Sequence, residues 1–328
     1  MLILTERHLR AALTMRDVIE AVEGGFRALA RQCVNVPERL RLDVPSENGV
    51  MLEMPALVHS ENKSENALGT KIVSVFENNA ARGLDVVQAV YLLLNVETGA
   101  PLALMEGRFI TAIRTAATSA VATKFMAARG PKWLAVFGAG VQARFHIEAM
   151  IEVASVEKIL ICSRTTERAS ALADESNKRY GMPCEVVSAK EAASNANLIC
   201  ACTTAAAPLF DGNLIKPGTH INAVGAFTAT TRELDTEAVR RARVIIDENR
   251  TAGREAGEIL IPLQEGAIES SHIKGTLADL VSGKVAGRES EDEITLFKSC
   301  GLAIEDLVTA RLAYQRATME RIGLRVDF

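Results

Sequence analysis

The residues best placed to do chemistry in this 328-residue chain are glycines. The run KWLAVFGAGVQARFH sets Gly138, Gly140 and Ala143 in a Gly-x-Gly-x-x-Ala pattern. An apolar stretch, 134–137, reads as a strand just before it, and a helix follows. In that setting each position has a task. Gly138 permits the tight turn, Gly140 lets a pyrophosphate approach the backbone, and Ala143 keeps the helix close to the strand. Val141 and Gln142 then open a helix whose free N–H groups and positive dipole end favour phosphate. A plain tight turn would need the same glycines, but the strand–glycine–helix context points to dinucleotide binding. A second signal ends the next strand, in ILICSRTTERA. Dinucleotide folds that prefer NAD often carry Asp or Glu there, on the ribose 2′-hydroxyl. Here stand Ser163 and Arg164, with Thr165 next and Arg168 one turn on. A hydroxyl and a guanidinium suit a 2′-phosphate, so the expected cofactor is NADPH, with NADH weaker. Thr165 or Thr166 could instead simply cap the helix.

The elements that must position these groups form an α/β pattern. Hydrophobic residues make up 48% of the chain and aromatics 4%. A helix is expected from the Thr14 and Asp17 cap, with Val18, Ile19, Val22, Phe26 and Leu29 on its apolar face. Residues 37–96 read as β-rich, through RLRLDV, GVMLEMPAL, TKIVSVF and VVQAVYLLLNV. A turn is expected at 95–101 and an Ala/Thr-rich helix at 110–129, stopped by Gly130-Pro131. From Lys132 strands and helices alternate, with strands at 134–137, 158–162, 185–187, 198–202, 220–224 and 244–247. That alternation predicts right-handed crossovers, a parallel sheet, and a cofactor at the strands' carboxyl ends. Thr203 and Thr204 follow the fourth strand and are candidate cofactor contacts. Residues after Asp247 read as largely helical and loop-like, and a last helix is expected from 304 to the C-terminus.

Composition excludes other classes. A formal charge of −4 gives no basic footprint for nucleic acid. No apolar run approaches the ~20 residues of a membrane span, and the N-terminus gains charge too early for a signal peptide. The six cysteines make no Cys-x-x-Cys pair, which favours a reduced cytoplasm without disulfides or zinc. The histidines show no ligand spacing, and no metal site is expected; His146, in the first helix after the glycine turn, reads as structural.

Several motifs together resemble the ornithine cyclodeaminase/mu-crystallin family. They are TKIVSVF at Thr70, GLDVVQAVYLLLN at Gly83, ITAIRTAATSAVATKF at Ile110, GAGVQARFH at Gly138, INAVGAFTATTRELD at Ile221 and DEITLFKSCGLAIEDL at Asp292. The resemblance implies a Rossmann doubly wound parallel sheet, residues 116–305, inserted into an α+β substrate and dimerisation domain, residues 1–115 and 306–328. It implies a homodimer through 37–96, and hydride transfer between a nicotinamide and a carbon bearing nitrogen and a carboxylate. Arg39, Lys71 and Arg114 match its substrate-binding positions, where cations grip a carboxylate. Each interrupts an apolar or small-residue stretch, and Arg41 competes with Arg39 on the same strand face. Val224, Gly225 and Ser299 fall at cofactor positions. Asp306 opens the last helix and is expected to act at most on its dipole.

Within that family, the expected activity is reduction of a cyclic imino acid, 1-pyrroline-2-carboxylate to L-proline, with 1-piperideine-2-carboxylate as a second substrate. Alternatives are ornithine cyclodeaminase, alanine dehydrogenase, or a mu-crystallin-like NADPH-linked binding protein without turnover. One departure bears on the choice. Where the cyclodeaminase branch carries a carboxylate followed by a PGK-like turn, this chain has Phe227 and TATTR. Phe227 can wall a small ring or pack into the Rossmann core, but it cannot pair with an ammonium.

Overall fold

The computed structural model describes residues 1–327 and divides into two compact units, Met1–Arg114 with Leu302–Phe328, and Thr115–Gly301. The first unit holds strands β1 (Leu2–Leu4), β2 (Val34–Asn35), β3 (Leu40–Val44), β4 (Gly49–Val58), β5 (Ala67–Phe76), β6 (Val87–Leu94) and β7 (Pro101–Glu106). The second holds β8 (Lys132–Phe137), β9 (Val156–Cys162), β10 (Cys184–Val186), β11 (Leu198–Ala201), β12 (His220–Ala223), β13 (Ala242–Ile246), β14 (Ile273–Thr276) and β15 (Ile294–Lys298). The chain then returns to the first unit, ending in β16 (Leu324–Arg325).

The first unit is one sheet in the order β16-β1-β7-β6-β5-β4-β2, with β3 also on β4. Strands β4 to β7 run antiparallel to one another, and β7 pairs with β1 in parallel. Alternation then sorts each strand's residues onto two faces. One row across the inner face reads Met54, Lys71, Tyr91, Met105. It is covered by the helix Ala303–Met319, which packs on β4, β5 and β6 and against the helix Met15–Ala30. Thr14 caps that second helix, accepting from Asp17 N at 3.3 Å, and Val18, Ile19, Val22 and Phe26 form its buried stripe. On the outer face the row Leu40, Glu53, Ile72, Val90, Glu106 lies exposed or half-buried.

The second unit is a parallel sheet in the order β10-β9-β8-β11-β12-β15-β13-β14. This is a doubly wound, Rossmann-type sheet whose strand order reverses between β8 and β11. The crevice for a ligand in such a sheet opens at the carboxyl ends of the two strands flanking that reversal. The core is made by Ala135, Phe137, Ile199, Ile221, Val244 and Leu296 together with the helices packed over them. The Ser188 and Glu191 capping box forms as the sequence indicates, with Glu191 N donating to Ser188 Oγ at 3.2 Å.

Several elements depart from expectation. Residues 101–106 form β7, hidden in the sequence by its leading Pro and by Ala and Met, which are weak strand formers. After Asp247 the chain supplies β14 and β15 as well as helices. All of β15, ITLFK, is buried, so the alternation that flags a half-exposed strand is missing. The helix expected at 110–129 runs Gly107–Met126. The last helix stops at Met319, because Arg321 (φ 58°) and Gly323 (φ 101°) turn the chain left-handed towards β16, which pairs with β1. Among the described residues no helix is long and apolar enough to cross a membrane, no group of three His, Cys, Asp or Glu is placed to hold a metal, and the cysteines are free.

Candidate active site

In the first unit, two of the cations singled out in the sequence are brought together and are already paired. Lys71 sits mid-strand on the inner face of β5, 1% exposed, and its Nζ donates to Asp306 Oδ2 at 2.7 Å. Arg114, 5% exposed, donates from Nε to Asp306 Oδ1 at 3.0 Å and from Nη1 to Glu305 Oε2 at 2.5 Å. Asp306 therefore bridges the two cations with one carboxylate. Glu305 turns its other oxygen back to the start of its own helix, accepting from Leu302 N at 2.9 Å. Both acids are in the first turn of the helix Ala303–Met319, where the dipole favours negative charge.

Burial sets the electrostatics of this cluster. Desolvation pulls Lys71 down to about 8, against the upward pull of Asp306, and Arg114 lowers it further. Burial also works against Arg114, but Asp306 and Glu305 together hold it above its ordinary value. Tyr91, the register partner of Lys71, is pushed up by burial and then by Asp306, and its hydroxyl is buried with no hydrogen-bond partner. Lys71 gives one of its three donors to Asp306 and has others for an anion. Such an arrangement can grip a carboxylate and hold it rigidly.

The expectation for Asp306, a helix-dipole role only, is corrected: its carboxylate is the hub of the cluster. Its signal was faint, two adjacent acids in the otherwise apolar run LAIEDL. Arg39 is half-buried just ahead of β3, while Arg41 is exposed and closes on Asp43 at 2.7 Å.

In the second unit the residues singled out around the glycine turn lie together. Gly138 adopts φ +106°, and a Cβ on it would lie 2.7 Å from the carbonyl oxygen of Cys202, so the turn abuts the loop after β11. Gly140 is exposed with open space around it, and it starts the helix Val141–Val153 without a side-chain cap. The helix N-terminus is thus open to an anion. Val141 is 61% exposed, Gln142 is half-buried with Oε1 unpartnered, and Ala143 is fully buried against the sheet. These features fit a dinucleotide pyrophosphate. Ser163 follows β9 half-buried, its Oγ accepting from Thr165 N at 3.4 Å, and Thr165 stands at the N-cap position of the helix Thr166–Tyr180 without a side-chain cap bond. Arg164 and Arg168 are exposed beside it.

Several other candidates are held by partners within the unit. Thr203 spends both its donors on Glu233, N at 2.6 Å and Oγ1 at 2.7 Å, whereas Thr204 is exposed. Val224 and Gly225 are half-buried after β12, and Gly225 N donates to Glu233 Oε2 at 2.7 Å. Ser299 is buried and gives its hydroxyl to Asp247 at 3.2 Å; the N–H groups of Cys300 and Gly301 go to the same oxygen. Phe227 does not pack into the core: it is 42% exposed. His146 is structural, bonded to Gln142 O at 2.8 Å and Ser119 Oγ at 3.0 Å, and burial lowers it to about 4. Glu233, Glu258 and Lys298, all fully buried, were not singled out in the sequence, where each looks like an ordinary surface charge.

Fold and geometry define an oxidoreductase-type dinucleotide unit joined to a unit with a buried cationic clamp. The chain belongs to the ornithine cyclodeaminase/mu-crystallin family, whose model matches residues 1–321. It is 36% identical over 330 residues to the Delta(1)-pyrroline-2-carboxylate reductase of Bacillus cereus (strain ATCC 10987 / NRS 248), covering 100% of both chains. The structure of the Thermococcus litoralis Delta(1)-pyrroline-2-carboxylate reductase, in complex with NADH and L-proline, matches at a TM-score of 0.96 and 43% identity, over 99% of this chain and 100% of that one. An archaeal alanine dehydrogenase dimer with bound NAD matches at 0.92 and 31%, over 100% and 99%.

The cluster geometry gives a direct test. Replacing Asp306 with Asn leaves two buried cations short of a partner, and this should cost about 3–5 kcal/mol of stability in denaturant unfolding. Because Asp306 raises Lys71, its loss should also move the Lys71 titration below its present value of about 8, read by NMR of the Nζ group. A variant of unchanged stability and an unmoved titration would show that the cluster is not coupled.

Proposed function

We propose that this protein is a nicotinamide-dinucleotide-dependent reductase of cyclic imino acids, acting on 1-pyrroline-2-carboxylate to give L-proline and also on the six-membered 1-piperideine-2-carboxylate. The observation that carries the reading is the buried Lys71–Asp306–Arg114 arrangement. We read it as a carboxylate clamp, in a chain that also builds a dinucleotide cradle. When bound, the reduced dinucleotide supplies the hydride. Lys71 and Arg114 hold the substrate carboxylate and fix the ring's orientation, and Lys71 can return a proton through water. A cyclic imine next to a carboxylate protonates readily, so positioning and electrostatics do most of the work. The likeness to the two pyrroline-carboxylate reductases supports this substrate class.

Phe227 supports it further. An apolar, exposed ring in the loop after β12 suits a small imine better than a flexible chain ending in ammonium. Purified protein should therefore oxidise the reduced cofactor with 1-pyrroline-2-carboxylate and convert ornithine negligibly. Lys71→Ala or Arg114→Ala should lower kcat/KM at least about 30-fold, the effect of ~2 kcal/mol from a lost buried charge contact. Efficient release of ammonia from ornithine without net cofactor use would overturn the assignment, and wild-type kinetics in Arg114→Ala would remove it from the clamp.

The cofactor preference we assign is for NADPH. Ser163, Arg164 and Arg168 follow β9, where the ribose 2′-position would lie, and offer it a hydroxyl and exposed guanidinium groups with no carboxylate side chain at the strand end. One charge-assisted contact to phosphate is worth ~1.5–3 kcal/mol, so kcat/KM with NADPH should exceed that with NADH at least about tenfold. Arg164→Asp should reverse the order. Equal efficiencies in the unmodified protein would refute the preference.

The assembly we assign is a homodimer through the outer face of the first unit's sheet. Leu40 (54% exposed), Ile72 (41%) and Val90 (43%) stand in one cross-strand row, with Leu42 (54%) beside them. An exposed apolar face of this kind marks an association surface. The dimeric archaeal relative supports the reading. Light scattering at micromolar concentration should give a dimer, and Ile72→Glu with Val90→Glu a monomer; a monomeric parent protein would contradict it.

A further inference from the structure

The second unit contains a buried charge network that the chemistry above does not use. Lys298, at the end of β15, and Glu258, in the helix Gly257–Gln264, are both 0% exposed, with Nζ 2.9 Å from Oε2. The contact is an ion pair rather than an aligned hydrogen bond. Lys298 also donates to the carbonyl oxygen of Ala226, in the loop after β12. Glu258 uses its other oxygen to accept from Glu233 N at 2.8 Å. The Glu233 side chain, also 0% exposed, then accepts from Thr203 N, Thr203 Oγ1 and Gly225 N.

We infer that Glu233, anchored by the Lys298–Glu258 pair, is the positioning residue of the dinucleotide cradle: it locks the loops after β11 and β12 into one arrangement against the glycine turn after β8. The proposal rests on the reading that this unit binds a nicotinamide dinucleotide.

Three features carry it. The network joins the ends of β11, β12 and β15, all at the sheet's carboxyl edge, where a ligand of such a sheet must lie. The loops it joins are in close contact: a Cβ on Gly225 would stand 2.0 Å from Thr203 O and 2.5 Å from Glu233 Oε1. The contact continues to the phosphate turn, since a Cβ on Gly138 would meet Cys202 O at 2.7 Å. The position of the Gly138 turn is thus set by a loop whose next residue, Thr203, is held by Glu233.

The chemistry at Glu233 is demanding. Every group facing its two oxygens is a donor, so the side chain must be an acceptor on both. A glutamine would aim its amide N–H at the N–H of Thr203 or Gly225 and break at least one tie. A network that served only folding would tolerate neutral replacements, because a buried ion pair exchanged as a unit is often neutral for stability. A network that sets loop geometry would not, since the tie to Ala226 would be lost.

Two variants of the full-length protein test this, Glu233→Gln and the paired Glu258→Gln with Lys298→Met. The pair keeps an acceptor for Glu233 N, removes one buried cation together with one buried anion so that the net buried charge is unchanged, and should stay folded even if Glu233→Gln does not. NADPH affinity is measured by nicotinamide fluorescence, and steady-state kinetics by imine reduction. Each folded variant should raise the NADPH Kd at least about tenfold, with KM for NADPH rising in parallel. At saturating NADPH kcat should stay within about threefold of the parent, because the carboxylate clamp is untouched. Folded variants that bind NADPH as the parent does would overturn the inference and leave the functional reading standing. A parent protein that binds neither NADPH nor NADH would instead overturn the functional reading and this inference with it.

Discussion

The first unit depends on one carboxylate. A lysine in the middle of an antiparallel strand, on the face that a helix covers, is a poor choice for folding unless its charge is met inside the protein. Asp306 meets it, and with its second oxygen it meets Arg114 too. Much of the surrounding layout follows from this requirement. The helix Ala303–Met319 must dock with its N-terminal turns over β5, so its residues from Ala303 to Ala310 are buried on all sides. The return of the chain from the second unit must fall just before it, at 301–302. The pairing also explains how two cations can wait in a dry place without neutralising. They are held charged by the two acids they are paired with.

The second unit solves a different problem. A parallel sheet places its loops in a row at one edge, and nothing in the ladder fixes their shape. Buried carboxylates do that here. Asp247 gathers Ser299 Oγ and the N–H groups of Cys300 and Gly301, while Glu233 gathers Thr203 and Gly225. Burial raises both acids above ordinary carboxylates, and the donors around them pull the other way. The result is a loop edge built on hydrogen bonds to side chains of its own unit, with open backbone left at Gly140 for a ligand.

What could be read from the sequence was what is local. The glycine turn, the Thr14 and Ser188 caps and the alternating strands between Gly49 and Leu94 are short-range patterns, and the structure forms each of them. Lys71 and Arg114 stood out because the family resemblance places them at substrate-binding positions and because each interrupts an apolar or small-residue stretch. Their partners did not, because Asp306 lies 235 residues from Lys71 in the chain and only the fold brings them together. Strand β15 escaped for a related reason: a strand buried on both faces carries no period, and its neighbours β12 and β13 lie far back in the chain. Glu233 and Lys298 escaped because a charged residue in isolation is usually at the surface. The surroundings of Thr203 were legible only in part. Its position after β11 was legible, but the carboxylate that takes both its donors was not.

These two solutions suit one kind of reaction. An imine carbon beside a carboxylate is electrophilic once protonated, so the protein needs neither a nucleophile nor an oxyanion hole. It needs a fixed carboxylate and a fixed hydride donor, and geometry counts more than acid–base strength. Buried ion pairs and buried carboxylates crowded with N–H donors are costly to assemble, yet once formed they admit only one arrangement. In the first unit that rigidity acts on the Lys71 and Arg114 side chains, and in the second on backbone loops.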